Sequence, residues 1–186
     1  MGQPNCRAVL LDRDGVLNRD TRRGVRRLDE LRVLPGAADA VKRLTGAGCR
    51  VLVLTNQSGI GRGRLSAGEL DEIHAALRRE IEAPGGRIDG FYVCPHAPGI
   101  GCGCRKPEPG LIDQARREWG FEPAETWFVG DAVRDVDAAI AAGCRPALVL
   151  TGKGAHSAPL RSHVPVFPDV AAFVDAFLAG GLATLG

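Results

Sequence analysis

Apolar and polar positions fall into two kinds of block along this chain. Short apolar runs have the length and composition of buried strands: Ala8-Val9-Leu10-Leu11, Val51-Leu52-Val53-Leu54, 126–129, 147–150 and, less uniformly apolar, 88–93. Between them, apolar residues recur at helical spacing. Pro35 suits a first helical position, opening a helix over 36–45 in which Ala37, Ala40, Val41 and Leu44 form one stripe. Ser66 and Glu69 have the spacing of a capping box, which predicts a helix over 67–83 closed by Pro84-Gly85-Gly86. Further helices are predicted over 109–119 and 133–142. Strands alternating with helices imply an α/β fold of Rossmann-like form: a parallel sheet of about five strands with helices on both faces.

The remaining segments are connections. Residues 19–32 are polar and irregular and are expected to form a flap over the strand ends. There is no room for a large cap domain between the first and second strands or between the second and third. The tail, 155–186, reads as a loop over 156–168 followed by a short packing helix over 170–178. One domain spanning 1–186 is expected, with the tail packed on it.

Composition narrows the function. A formal charge of +2 supplies no overall field for nucleic acid or membrane, and aromatic residues make up only 5%, too few for a base-stacking groove. No apolar run reaches bilayer length, and the N-terminus lacks a basic-then-apolar leader pattern, so a cytoplasmic monomer is expected. Arginines crowd one segment, at Arg19, Arg22, Arg23, Arg26 and Arg27. They form either a solvated basic face or an electropositive lip for a phosphorylated substrate.

The candidate chemistry lies where the strands end. Asp12 and Asp14 follow the first strand, with Gly15 releasing the chain into a turn. Side chains two apart on an extended chain point the same way, so two carboxylates meet and repel unless a cation or a proton intervenes. Thr55 and Asn56, followed by Gln57 and Ser58, end the second strand, and Gly130-Asp131 ends the fourth. In a parallel sheet these ends share one edge. A hydroxyl, free backbone N–H groups, carboxylates and the rare lysine Lys106 make a phosphoryl-transfer kit. Because carboxylates alone repel phosphate, Mg²⁺ is required between Asp12, Asp131 and the substrate. Asp135 is either an orienting group or a direct ligand, and Asp137 an ordinary first-turn helix acid.

Three of the six cysteines lie within one short segment, as Cys94-x-His96-x5-Cys102-x-Cys104. Three thiolates and an imidazole suit tetrahedral Zn²⁺, and four protein ligands leave no open position, so the zinc is expected to be structural, stiffening a loop rich in Pro and Gly. Cys6, Cys49 and Cys144 read as small core residues, and His74, His156 and His163 as ordinary structural ones.

The stretches DRDGVLN, LTNQSGIGRG, CRKPEPG and VGDAVRD, in this order and spacing, resemble the four motifs of the haloacid dehalogenase superfamily of phosphatases. With the Cys/His cluster, they resemble its subgroup acting on heptose 1,7-bisphosphate or histidinol phosphate. The resemblance covers 8–154. It implies that Asp12 attacks phosphorus to give an aspartyl-phosphate, while Asp14 serves as general acid and then base and offers its carbonyl to Mg²⁺. It further implies that Thr55 and the Asn56 N–H hold phosphoryl oxygens, that Lys106 offsets charge, and that Asp131 binds the metal. The expected substrate is a small phosphorylated sugar, a heptose bisphosphate losing its C7 phosphate, with Arg105 and Arg62 meeting the second phosphate. Histidinol phosphate is the alternative. A receiver-like phosphate-binding module without turnover is the alternative of another class.

Overall fold

The computed structural model describes residues 8–21 and 23–182. The central strand β1 (Ala8–Leu11) has β2 (Arg50–Asn56) and β3 (Gly90–Cys94) on one side. On the other are β4 (Trp127–Gly130), β5 (Arg145–Val149) and β6 (Val166–Phe167), giving the order β3-β2-β1-β4-β5-β6. Every pairing is parallel. The sheet therefore has six strands where the apolar runs predicted five. β6 escapes a pattern search because it is two residues long between Pro165 and Pro168, yet Leu150 N–H donates to the Phe167 carbonyl at 2.8 Å.

Alternation along the strands divides the core. Val9, Leu11, Val51, Val53 and Val129 face one layer, with α1 (Ala37–Gly46), α3 (Ala67–Glu82) and α7 (Val170–Leu178). Ala8, Leu10, Leu52, Leu54 and Phe128 face the other, with α4 (Gly110–Trp119) and α5 (Val133–Ala141). All four β1 residues are buried, each leucine contributing on the order of 1.5–3 kcal/mol. That burial anchors the strand that carries the Asp12 edge.

Several boundaries differ from the expectation. α1 starts at Ala37, not Pro35, because Gly36 sits at φ +78, outside the right-handed helical region. The tail is more structured than a loop: α6 (Gly154–Ser157) and a 3₁₀ turn at Ala158–Arg161 precede β6. Asp137 pairs with Arg161 of that turn at 2.8 Å, so it anchors the tail to α5 instead of merely complementing a helix dipole. The predicted capping box is present, with Glu69 N–H donating to Ser66 Oγ at 3.1 Å and Ser66 N–H to Glu69 Oε2 at 2.7 Å.

The stretch after β1 is irregular apart from a 3₁₀ turn at Leu28–Glu30. No second domain interrupts the sheet among the described residues. Cys49 and Cys144 are buried as expected, whereas Cys6 and Arg22 lie outside the described residues. No helix is long and apolar enough to cross a membrane.

Candidate active site

The chain runs from β1 out to β3 on one side and returns across β1 to β4 on the other. The strand order thus reverses between β1 and β4, and their carboxyl ends form the crevice where open α/β sheets bind ligands. Asp12 and Asp131 flank it. Asp12 N–H donates to the Val129 carbonyl at 2.9 Å, which locks the two strand ends together. Gly15, at φ +90, turns the chain away, and a Cβ there would collide with the Asp131 carboxylate.

The Asp12, Asp131 and Asp135 carboxylates are buried and offer oxygens all within 4.8 Å of one another. Lys106, only 2% exposed, enters from the loop before α4. Its Nζ donates to the Leu54 carbonyl at 2.8 Å and forms ion pairs with Asp12 Oδ1 at 2.9 Å and Asp135 Oδ1 at 2.8 Å. Burial works against the Lys106 charge, but the facing Asp12 and Asp135 carboxylates outweigh it and raise the pKa. The lysine's main chain is held as firmly, by reciprocal bonds of 3.0 and 3.1 Å with the Asn56 side chain.

One lysine does not neutralise three acids. Burial pushes Asp12 up to about 6; Lys106 opposes the shift, while Asp135 adds to it. Burial, then Asp12 and Asp135, push Asp131 up to about 7. Asp131 Oδ2 accepts from Lys153 N–H at 2.8 Å, whereas its Oδ1 is buried without a partner. A buried, unpartnered carboxylate oxygen beside other carboxylates fits a hard cation. Asp135 Oδ2 accepts from Ala132 N–H at 3.0 Å and its Oδ1 faces Lys106 at 2.8 Å, as an orienting group would, while its carboxylate also lies within reach of a cation held by Asp12 and Asp131.

The Asp14 carboxylate does not join this group. Arg13, buried beneath the strand end, grips it through Nε at 3.2 Å and Nη2 at 2.8 Å, and Asn18 and Gln57 each donate to it at 2.9 Å. Burial alone raises its pKa, but the Arg13 charge and these bonds prevail and lower it. Any metal contact from Asp14 is left to its carbonyl. Gln57 also donates to Thr55 Oγ1 at 2.8 Å, so its side chain positions two site residues.

Sequence reasoning passed over Arg13. Its signal was the two-residue period itself, which turns the residue between two outward aspartates inward, where a guanidinium needs a carboxylate. His74 Nε2 lies 3.1 Å from Arg13 Nη1, and its ring stacks on Phe91 at 4.3 Å. Burial, then Arg13, push the His74 imidazole down to about 3, so it is neutral. Arg134 was also passed over; it stands 3.9 Å from Asp12 Oδ2.

The cleft above Asp12 has a volume of about 330 Å³. Thr55, Asn56, Gln57 and Ser58 line it, as do both arginines expected there, Arg62 and Arg105. Arg105 Nη1 donates to the His96 carbonyl at 3.2 Å, which ties it to the Cys/His loop. In that loop Cys94, His96, Cys102 and Cys104 converge, with His96 Nδ1 3.2 Å from Cys104 Sγ and the Cys94 and Cys102 sulfurs 3.8 Å apart. That separation is far beyond a disulfide. Burial and the neighbouring thiols push Cys104 up to about 12, since several thiolates cannot coexist without a cation. The donor set suits a soft-ligand tetrahedral metal.

An aspartate-bearing strand end at the switch point, a buried lysine against that aspartate and a cluster of carboxylates beside it are the layout of a phosphohydrolase of the haloacid dehalogenase type. Residues 103–173 match the HAD-hydrolase-like family model. The chain is 42% identical over 172 residues to the D-glycero-beta-D-manno-heptose-1,7-bisphosphate 7-phosphatase of Pseudomonas aeruginosa, covering 91% of this chain and 97% of that protein. It is 44% identical over 133 residues to the corresponding alpha-heptose phosphatase of Mycobacterium bovis, covering 70% of each. The crystal structure of the D,D-heptose 1,7-bisphosphate phosphatase of B. bronchiseptica, complexed with magnesium and phosphate, superposes with a TM-score of 0.90 at 39% identity, over 94% of this chain and 99% of that one. The chain belongs to the haloacid dehalogenase superfamily and, within it, to the family of these heptose bisphosphate phosphatases.

Proposed function

We propose that the protein hydrolyses the C7 phosphate ester of D-glycero-β-D-manno-heptose 1,7-bisphosphate and leaves the C1 phosphate in place. The observation that carries this reading is Lys106, buried and bridging Asp12 and Asp135 beside the unpartnered Asp131 oxygen. The β anomer is favoured because likeness to the β-heptose enzyme of Pseudomonas aeruginosa extends over 91% of the chain.

Asp12 attacks phosphorus, the bond from phosphorus to the C7 oxygen breaks, and Asp14 delivers a proton to the departing oxygen. Water then attacks the aspartyl-phosphate, Asp14 takes its proton, and the bond from phosphorus to Asp12 breaks, freeing phosphate. Arg13 holds Asp14 as the carboxylate that this second step needs, so the first step requires Asp14 to protonate and leave that grip. Lys106 and Thr55 stabilise charge on the nucleophile and phosphoryl oxygens, with the backbone N–H of Asn56 completing the cradle.

Asp12, Asp131 and the Asp14 carbonyl are the ligands for Mg²⁺, which when bound offsets phosphate charge. Cys94, His96, Cys102 and Cys104 hold Zn²⁺, which fixes the loop that carries Arg105 and Lys106. Arg62 and Arg105 face the second phosphate.

A turnover panel tests the reading. With Mg²⁺, one equivalent of phosphate is expected from the β-heptose bisphosphate, with kcat/KM well above those for the α anomer and histidinol phosphate. Preference for histidinol phosphate overturns the substrate, and preference for the α anomer overturns the anomer.

A further inference from the structure

The flap carries more positive charge than its own structure uses. Arg23, Arg26 and Arg64 line the catalytic cleft and also an adjoining hollow of about 470 Å³ that contains none of the catalytic carboxylates. They therefore mark the lip of the cleft remote from Asp12. Two acids reach this lip, and both are already engaged. Glu30 accepts from the Arg26 and Arg27 N–H groups at 2.8 and 3.3 Å, and Glu69 is held in the Ser66 capping box.

Nearby, Arg27 pairs with Asp29 at 2.7 Å, Lys153 reaches across to pair with Asp20 at 2.6 Å, and Arg32 donates to the Asp29 and Leu31 carbonyls. No carboxylate lies within ion-pair distance of Arg23, Arg26 or Arg64 among the described residues. Arg26 Nε donates to the Arg23 carbonyl at 2.9 Å, which ties the Arg26 guanidinium to the backbone of the same lip. Like charges gathered at a cleft mouth repel one another unless an anion fills the space between them. Guanidinium groups match a phosphate dianion in both charge and fork geometry.

We propose that Arg23 and Arg26 of the flap, with Arg64 opposite, grip the second phosphate of the substrate and make the site selective for sugar bisphosphates over monophosphates. The inference rests on the phosphatase reading above and extends it from the loop arginines to the flap. Because these contacts lie away from the reacting phosphorus, affinity gained at the lip appears mainly in KM.

The test compares kcat/KM for heptose 1,7-bisphosphate with that for heptose 7-phosphate, in wild-type protein and in the Arg23→Ala/Arg26→Ala variant with Mg²⁺. The variant is expected to lower the ratio of the two values at least tenfold, chiefly through KM for the bisphosphate. Arg27→Ala, which removes an arginine already paired with Asp29, should leave the ratio within twofold. Wild-type turnover of the bisphosphate with an unchanged ratio in the double variant overturns the flap assignment alone. Wild-type protein releasing no phosphate from the bisphosphate overturns the function and the flap assignment together.

Discussion

Two clusters of metal-ligating side chains lie on either side of Lys106, and they are built in opposite ways. The acidic cluster gathers Asp12 from the end of β1, Asp131 from the end of β4 and Asp135 from α5, all buried. The Cys/His cluster gathers its four groups from the single segment between β3 and α4, and three of them are partly exposed. The first is held by the sheet, where burial and mutual repulsion raise the carboxyl pKa values of Asp12 and Asp131 to about 6 and about 7. The second is anchored to the sheet only at Cys94, so on the proposed reading the ion orders the rest of the loop. Lys106 joins them: two residues beyond Cys104 in sequence, it places its amine on Asp12. On the proposed reading, the difference is that one metal is a reagent in a pocket built by the sheet while the other is part of the scaffold.

The sharpest way to break that comparison is at the residue shared by both halves. Lys106→Met leaves Asp12 and Asp135 without their buried partner, and kcat should fall by about 10²–10³-fold, as for loss of a preorganised charge donor. Breaking the buried pair also costs roughly 3–5 kcal/mol, readable as a lower urea midpoint for the metal-free protein. A variant retaining full turnover would remove Lys106 from the chemistry.

Cys102→Ser acts on the scaffold half. It should lose about one equivalent of zinc by metal analysis and lower Tm by more than about 4 °C, the shift expected for a kilocalorie or two in a chain of this size. Because Arg105 hangs from His96, KM should suffer more than kcat. Unchanged zinc content would show that the cluster is not a metal site.

The smallest effect concerns pH. In metal-free protein the raised carboxyls of Asp131 and Asp12 bind protons in the folded state that the unfolded chain, near 3.8, has released. Their stabilising contribution is full below about 3.8 and is lost as pH rises through about 6 to 7. Mg²⁺ needs these groups ionised, so its binding releases protons below about pH 7. Calorimetry should show Mg²⁺ affinity rising up to about pH 7 and levelling beyond it. An affinity flat from pH 5 to 8 would contradict the placement.

Much of this was legible in the chain. Apolar runs located five strands to within a residue or two, most sharply β1, where a strand buried on both faces must be apolar throughout, and less sharply β3, which is only partly buried. The Cys/His spacing was equally plain, since all its ligands are local. What stayed hidden was long-range. Asp135 fixing Lys106, Asn56 holding the Lys106 backbone and Arg13 clamping Asp14 all follow from which buried charge meets which. β6 was hidden because two residues between prolines carry no period, and its place on the sheet comes from its neighbours.

The account depends most on Asp12 as the group that accepts the phosphoryl moiety. Its most direct test is rapid quench of the Mg²⁺-loaded protein during turnover of heptose 1,7-bisphosphate, followed by borohydride reduction and peptide mass mapping. Reduction of an acyl phosphate converts that aspartate to homoserine. The account predicts homoserine at position 12 and none in an Asp12→Asn control; homoserine at another aspartate, or none at any position while phosphate is released, would contradict it.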